Sequence, residues 1–201
     1  IEAMYITRSM DMRADLLADE SDMVQQRLQS VNRLSNLSLQ LYSWYIKHGH
    51  ARNKSDQEAV MYYFKSHAPA EPESLQGFYE KLYYYQSQSW LSFILQDYLK
   101  YYKYSQRWVD LYHAEPAMIK VETIQYIKGM HNLLSAHYDL KNVDRFYQAV
   151  EQFQQFYNSD WVQSNENYKI QSFVYLYISR IHRHYLEGTF TEGLEVVPEI
   201  M

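Results

Sequence analysis

Apolar residues recur at intervals of three and four along most of the chain, which is the spacing of an α-helix that buries one face. The clearest stripe begins after Ser21, continues to His48 and comprises Val24, Leu28, Val31, Ser35, Ser38, Tyr42 and Tyr45. Similar patterns predict helices over residues 56–66, 74–86, 90–112, 116–140, 145–157 and 168–187, with another beginning at Leu194. The pattern therefore predicts an all-α protein.

Two features of the sequence indicate how particular helices are packed. The acidic segment 11–22 is predicted to be a solvated helix end and loop, with Ser21 as the N-cap of the long helix that follows. Between Trp90 and Tyr112 the apolar positions form two stripes rather than one. A surface helix normally has one apolar stripe, so we expect this helix to be covered from two sides.

Four positions are predicted to be turns between paired helices. Gly49, Gln88, Asn142 and Gly188 each follow an aromatic residue or a histidine by four residues, and they lie 39, 54 and 46 residues apart. Helical pairs that repeat in this way bury their apolar faces by stacking on their neighbours. We therefore expect a single helical-repeat domain of stacked antiparallel hairpins, at about 21–67, 74–114, 116–157 and 165–201.

One of these turns carries a family resemblance. The stretch "HRHYLEGTFTEGLEVV" has an aromatic residue closing the first helix, Gly188 at the turn, Phe190 two residues later and the small Gly193 where the helices touch. It resembles the middle of a tetratricopeptide repeat, and "NLLSAHYDLKNVDRFYQAV" and "WYIKHGHARNKSDQEAV" are similar to it. The resemblance implies an α-solenoid, a right-handed superhelix whose concave face binds peptides or partner proteins.

Composition agrees with long helices and excludes several classes of function. The 201 residues include only 5 glycines and 4 prolines, too few for the many turns of an all-β fold. No run of 18 apolar residues predicts a membrane span, and the net charge of −5 argues against nucleic acid, whose phosphates require a basic excess. The absence of cysteine excludes disulfides and thiolate chemistry. The first residues do not resemble a secretory signal, and we expect a cytoplasmic protein.

The 22 tyrosines are interpreted mainly as packing residues, because a ring can be buried while its hydroxyl reaches the edge of a thin stack. In "KLYYYQSQSW", Tyr85 is predicted to lie on the apolar stripe and Tyr84 on the solvated face with Glu80 and Lys81. A partner-binding role is the alternative for residues near the predicted polar strip. These candidate residues are Tyr84, Lys100, Tyr102, Lys103, Tyr104 and Arg107.

Catalytic, cofactor and metal sites are not predicted. The eight histidines do not form an HExxH motif or a ligand cluster, and the five glycines are isolated, so a phosphate-binding loop is not indicated. His131 and His182 fall within apolar stripes and are expected to pack between helices. Gly77 and Gly129 are predicted to mark close approaches of helices. The loop from His48 to Lys54 is basic, and it is either a flexible surface loop or a loop that binds an anion or a metal ion.

We therefore expect a non-enzymatic protein-interaction scaffold that binds a peptide or partner protein on a concave helical surface. Two alternatives remain open from the sequence. The chain is either a regulatory or sensor module of a larger protein, or a domain that binds single-stranded RNA by stacking on exposed tyrosines. Because the chain ends within an amphipathic pattern at Met201, we also expect the natural protein to continue.

Overall fold

The computed structural model describes residues 2–69 and 72–196, with side chains for residues 12–69 and 73–195. Within these ranges the chain forms ten α-helices and a 3-10 turn at Pro72–Ser74, without a β-strand. The all-α prediction is confirmed. The helices are α1 (Glu2–His48), α2 (Lys54–His67), α3 (Phe78–Ile94), α4 (Tyr98–Ala114), α5 (Met118–Val121), α6 (Thr123–Asp139), α7 (Val143–Tyr157), α8 (Asp160–Gln163), α9 (Glu166–Glu187) and α10 (Phe190–Val196).

The long helices pack mainly on their neighbours in the chain. α3 lies between α1 and α4, α6 packs on α4 and α7, and α9 contacts α6, α7 and α10. Two buried clusters result. The first is formed by α1, α2 and α3 and contains Leu34, Leu37, Leu41, Val60, Phe64, Tyr84, Leu91 and Ile94. The second extends from α3 to α9 and contains Leu82, Trp108, Tyr112, Ile127, Met130, Phe146, Phe153 and Leu176.

α3 contributes to both clusters, and this explains its run of aromatic residues. Leu82 belongs to the second cluster and Tyr84 to the first, whereas Tyr85 packs against both. A helix covered from two sides needs apolar side chains around most of its circumference. The tyrosine run is therefore packing material, as the sequence indicated for Tyr85.

The hairpin turns share one backbone feature. Gly49, Gln96, Lys141 and Gly188 have positive φ, and they lie 47, 45 and 47 residues apart. After each of the last three, the next N–H group donates to the carbonyl five residues earlier, from Asp97 to Ser92, Asn142 to His137 and Thr189 to His184, at 2.9–3.0 Å. This is the bond that closes a helix whose last residue is left-handed. The hairpins therefore recur at a nearly constant period.

The turn predicted at Gln88 is wrong, because α3 continues through it to Ile94. Its serines are buried rather than turn-forming: Ser87, Ser89 and Ser92 are at most 2% exposed. The small side chains allow close helix contact, and the Ser87 hydroxyl donates to the Tyr83 carbonyl at 2.7 Å. The helix predicted over 90–112 begins instead at Tyr98, after the true turn at Gln96.

Two further local predictions are wrong. Ser21 is not an N-cap, because α1 is continuous from Glu2 to His48. Gly77 lies at the N-cap of α3 rather than inside a helix, and its N–H donates to the Glu80 carboxylate at 3.1 Å. Gly129, in contrast, does mark a close approach, since a Cβ there would lie 3.1 Å from Nε1 of Trp108.

Candidate binding groove

A groove of about 610 Å³ is lined by residues of α1, α3, α4 and α6. α9 contributes one further lining residue, Tyr175. The lining of the groove is mixed, with aromatic rings, aliphatic side chains and uncharged polar groups. The lining residues are Ser35, Ser38, Leu39, Tyr42, Tyr45, Ile46, Tyr83, Gln86, Trp90, Phe93, Tyr101, Trp108, Gln125, Lys128, His131, Asn132, Ser135 and Tyr175.

The same helical face lines the groove in successive hairpins. On α3 the lining residues Tyr83, Gln86, Trp90 and Phe93 lie 13, 10, 6 and 3 residues before the left-handed residue Gln96. On α6 the lining residues Lys128, His131 and Ser135 lie 13, 10 and 6 residues before Lys141. Such spacings select one face of an α-helix. α3 and α6 therefore line the groove with equivalent positions, whereas α1 lines it mainly with Ser35, Ser38, Tyr42 and Tyr45, which lie 14, 11, 7 and 4 residues before Gly49.

Aromatic rings form one wall of the groove. The Trp90 ring lies 4.9 Å from that of Tyr42 and 5.8 Å from that of Tyr45, and the Phe93 ring lies 5.1 Å from Tyr45 and from Tyr101. His50, in the loop after α1, donates from Nδ1 to the Phe93 carbonyl at 2.8 Å and fixes this end. Rings held in this way provide a rigid apolar surface for a ligand.

A line of polar side chains crosses the groove from α1 to α6. The Ser38 hydroxyl donates to Oε1 of Gln86 at 3.3 Å, and Nε2 of Gln86 donates to Oε1 of Gln125 at 2.8 Å. Nearby, the Tyr101 hydroxyl donates to Oδ1 of Asn132 at 2.9 Å. These bonds orient the amides, so that the groove presents fixed hydrogen-bonding groups beside its aromatic wall.

The groove lining carries little charge. Among its described lining residues, Lys128 is the one with a permanent charge. His131 is stacked on Tyr175, with ring centres 4.0 Å apart and planes 11° apart. Burial and, to a smaller extent, neighbouring His182 together lower the pKa of His131 to about 4, so the imidazole is neutral at pH 7.

The two histidines pack between α6 and α9, as expected of the stripes in which they lie. His182 stacks on Tyr138 with ring centres 4.0 Å apart, and burial lowers the pKa of His182 as well. The two stacked pairs join α6 to α9 along one side of the groove. Their role in the structure is therefore to connect helices.

The prediction that Tyr84 lies on the solvated face is wrong. Tyr84 is 6% exposed, because α3 is covered on that side by the first cluster. Its hydroxyl accepts a hydrogen bond from Nε2 of Gln88 at 2.7 Å. Burial raises the pKa of Tyr84 to about 12. Its ring meets the Tyr104 ring edge-on, with centres 6.3 Å apart.

The other five candidate partner-binding residues all lie on α4, where two of them lie over the ring of a third. Lys103 and Arg107 lie over the Tyr104 ring at 5.6 and 5.7 Å. Lys100 instead pairs with Asp97 at 2.7 Å, and Tyr102 contacts the His137 ring with centres 5.0 Å apart. Among the described residues, the groove lining includes none of the six candidates. Partner binding by these residues stays a prediction.

The groove residues were missed because the second turn was misplaced. Putting that turn at Gln88 rather than Gln96 assigned Trp90 and Phe93 to the second helix of a hairpin. With the turn at Gln96, Tyr83 and Trp90 lie 13 and 6 residues before it, the same distances at which the groove residues Lys128 and Ser135 precede Lys141. The signal was present in the spacing, but no glycine marked the turn.

The described residues give little support to a metal site, an anion site in the basic loop or a membrane span. In the described part of the chain, no three histidine, aspartate or glutamate residues lie close enough to hold a metal ion. Arg52 of the basic loop donates from its backbone N–H to the Asp56 carboxylate and from its guanidinium to the His48 carbonyl. No helix of the described residues combines the length and the apolar character needed to cross a bilayer.

Comparison with known proteins adds no assignment. The chain matches no protein-family model, no curated protein and no solved structure.

Proposed function

We propose that the chain is a non-enzymatic interaction scaffold, a tetratricopeptide-like solenoid that binds a peptide or a segment of a partner protein in the groove between α1, α3 and α6. The observation that carries the proposal is the groove itself, which is lined by equivalent positions of α3 and α6 and by residues of α1. The turn period of 45–47 residues and the packing of each helix on its chain neighbours support a helical-repeat architecture.

The chemistry of the groove suits a peptide. Tyr42 and Trp90 provide an aromatic anchor surface, and such residues carry much of the binding energy at protein interfaces. Gln125, which buried Gln86 holds in place, provides an amide of the kind that pairs with peptide N–H and C=O groups. The volume of about 610 Å³ lies within the usual range of ligand sites and accommodates a few residues.

The rigidity of the groove also supports this function. Its walls are regular helices, its aromatic rings contact one another, and the amides of Gln86 and Gln125 are hydrogen-bonded to each other. A preformed surface binds with little loss of conformational entropy. Binding to single-stranded RNA has less support, because that function needs a positively charged track and the described lining contains one lysine.

A peptide selection tests the proposal. Peptides would be selected from a random library on the chain and measured again with Tyr42→Ala and Trp90→Ala. Tyr42 is 43% exposed, so its removal leaves the fold intact, and we expect each variant to weaken binding at least tenfold. Tyr62→Ala is the matched control, because Tyr62 is 77% exposed on α2 and lies outside the groove.

The same measurement separates the groove from the surface predicted from the sequence. A combined Tyr102→Ala, Tyr104→Ala and Arg107→Ala variant should bind the selected peptides as the unmodified chain does. Selected peptides that respond to this variant and not to Tyr42→Ala would refute the groove as the binding site. Failure to select any groove-dependent peptide would refute the proposed function.

A further inference from the structure

The part of the groove lining that α1 supplies includes a row of exposed apolar side chains. Leu39 and Ile46 are 60% and 63% exposed, and Tyr42 between them is 43% exposed. They are spaced by three and four residues, so they lie on one side of the helix. Large apolar side chains that remain exposed within a groove provide surface that a ligand can bury.

The part of the lining that α6 supplies carries hydrogen-bond donors. Gln125 and Lys128 lie one helical turn apart, and both line the groove. The Gln125 amide is oriented by Gln86, which donates to its Oε1 at 2.8 Å. Among the described residues, neither Nε2 of Gln125 nor Nζ of Lys128 has a hydrogen-bond or ion-pair partner. Both donors are therefore available to a ligand.

Lys128 departs from the pattern of the other first helices. Thirteen residues before the left-handed turn residue, α3 has Tyr83 and α9 has Tyr175, whereas α6 has Lys128, and all three line the groove. The described lining contains no acidic residue to balance this charge. Glu122 and Asp139, at the two ends of α6, lie outside it. An unbalanced positive charge in a binding site favours a negatively charged ligand group.

We propose that the groove recognises a peptide segment that combines an apolar side chain with an aspartate or glutamate. The apolar side chain packs on the row formed by Leu39, Tyr42 and Ile46, and the carboxylate accepts hydrogen bonds from Lys128 and Gln125. This inference rests on the proposed function and specifies its ligand. A carboxylate fits better than a phosphate, because phosphate groups carry up to two charges and are commonly bound by arginine, which the described lining lacks.

A double-mutant cycle tests the charged contact. Peptides selected for Tyr42-dependent binding would be prepared with their acidic residue and with its amide counterpart, asparagine or glutamine, and measured by fluorescence anisotropy. We expect Lys128→Gln and the amide peptide each to weaken binding about fivefold. Together they should weaken it no more than either alone, because both remove the same contact. Lys65→Gln is the matched control, since Lys65 is an exposed lysine of α2 outside the groove.

Substitutions on α1 test the apolar contact. Leu39→Ser and Ile46→Ser should each weaken binding of the same peptides, whereas Leu99→Ser should not, because Leu99 is 72% exposed on α4 and lies outside the groove lining. Tyr42-dependent peptides that lack an acidic residue, or that bind these α1 variants or Lys128→Gln as tightly as the unmodified chain, would overturn this inference and leave the proposed function standing. Losses that multiply in the cycle would also overturn the contact with Lys128. Failure to select any Tyr42-dependent peptide would instead refute the proposed function and this inference with it.

Discussion

Replacing His131 by phenylalanine should remove a defined part of the acid sensitivity of the fold. In the folded protein, burial against Tyr175 lowers the pKa of His131 from 6.5 to about 4. The unfolded chain therefore binds a proton at this position at a higher pH than the folded chain does. Stability from this group is complete above about pH 6.5 and is lost as the pH falls towards 4.

The size of the effect follows from the two pKa values. Between pH 7 and pH 5 the linkage relation gives a loss of about 2 kcal/mol for one histidine with these pKa values. Phenylalanine keeps a ring on Tyr175 but does not titrate. The free energy of unfolding of His131→Phe should thus fall by about 2 kcal/mol less than that of the unmodified chain over this range.

Urea unfolding at pH 7 and pH 5, followed by circular dichroism, measures this difference. His113→Gln is the matched control, because His113 is 48% exposed and its replacement leaves the buried stacks intact. Buried His137, whose pKa is also lowered to about 4, keeps part of the pH dependence in every variant. If His131→Phe loses as much stability as the unmodified chain between the two pH values, the imidazole is not excluded from protonation and the reasoning fails.

Three further substitutions test the backbone. Gly129→Ala should lower the free energy of unfolding by about 1–2 kcal/mol, because crowding of the buried Trp108 ring at 3.1 Å outweighs the gain in helix propensity. Urea unfolding measures this change, and a variant more stable than the unmodified chain would contradict the close approach. Gln96→Gly should raise the free energy of unfolding by about 0.5–1 kcal/mol, because Gln96 has φ 58°. Gly188→Ala should lower it by a similar amount at φ 72°. Shifts of the same sign in the melting temperatures of the two variants would contradict the turn assignment.

The sequence predicts the all-α class well, because the spacing of apolar residues and the glycine turns involve residues that are close together in the chain. The three- and four-residue spacing is strong in the second half of α1 and in α9, where one side of each helix meets a partner. Gly49 and Gly188 identify their turns, since glycine adopts positive φ without strain. These features require no knowledge of distant residues.

The second turn and the groove depend on tertiary packing. Gln96 adopts positive φ although its residue type does not favour it, so it does not mark its turn, whereas the turn predicted at Asn142 lies one residue after the left-handed Lys141. The serines of α3 have the composition of a loop but fill a close helix contact. Tyr84 has charged neighbours in the sequence, yet α1 and α2 cover its side of α3.

The groove spans the boundary between the two buried clusters. The groove residues Tyr45 and Trp90 pack with the first cluster, whereas the groove residue Trp108 belongs to the second. A chain with two such clusters can lose one before the other as denaturant increases. A ligand that contacts residues of both clusters would couple the unfolding of one cluster to that of the other. We therefore expect a bound ligand to replace stepwise unfolding by a single, sharper transition.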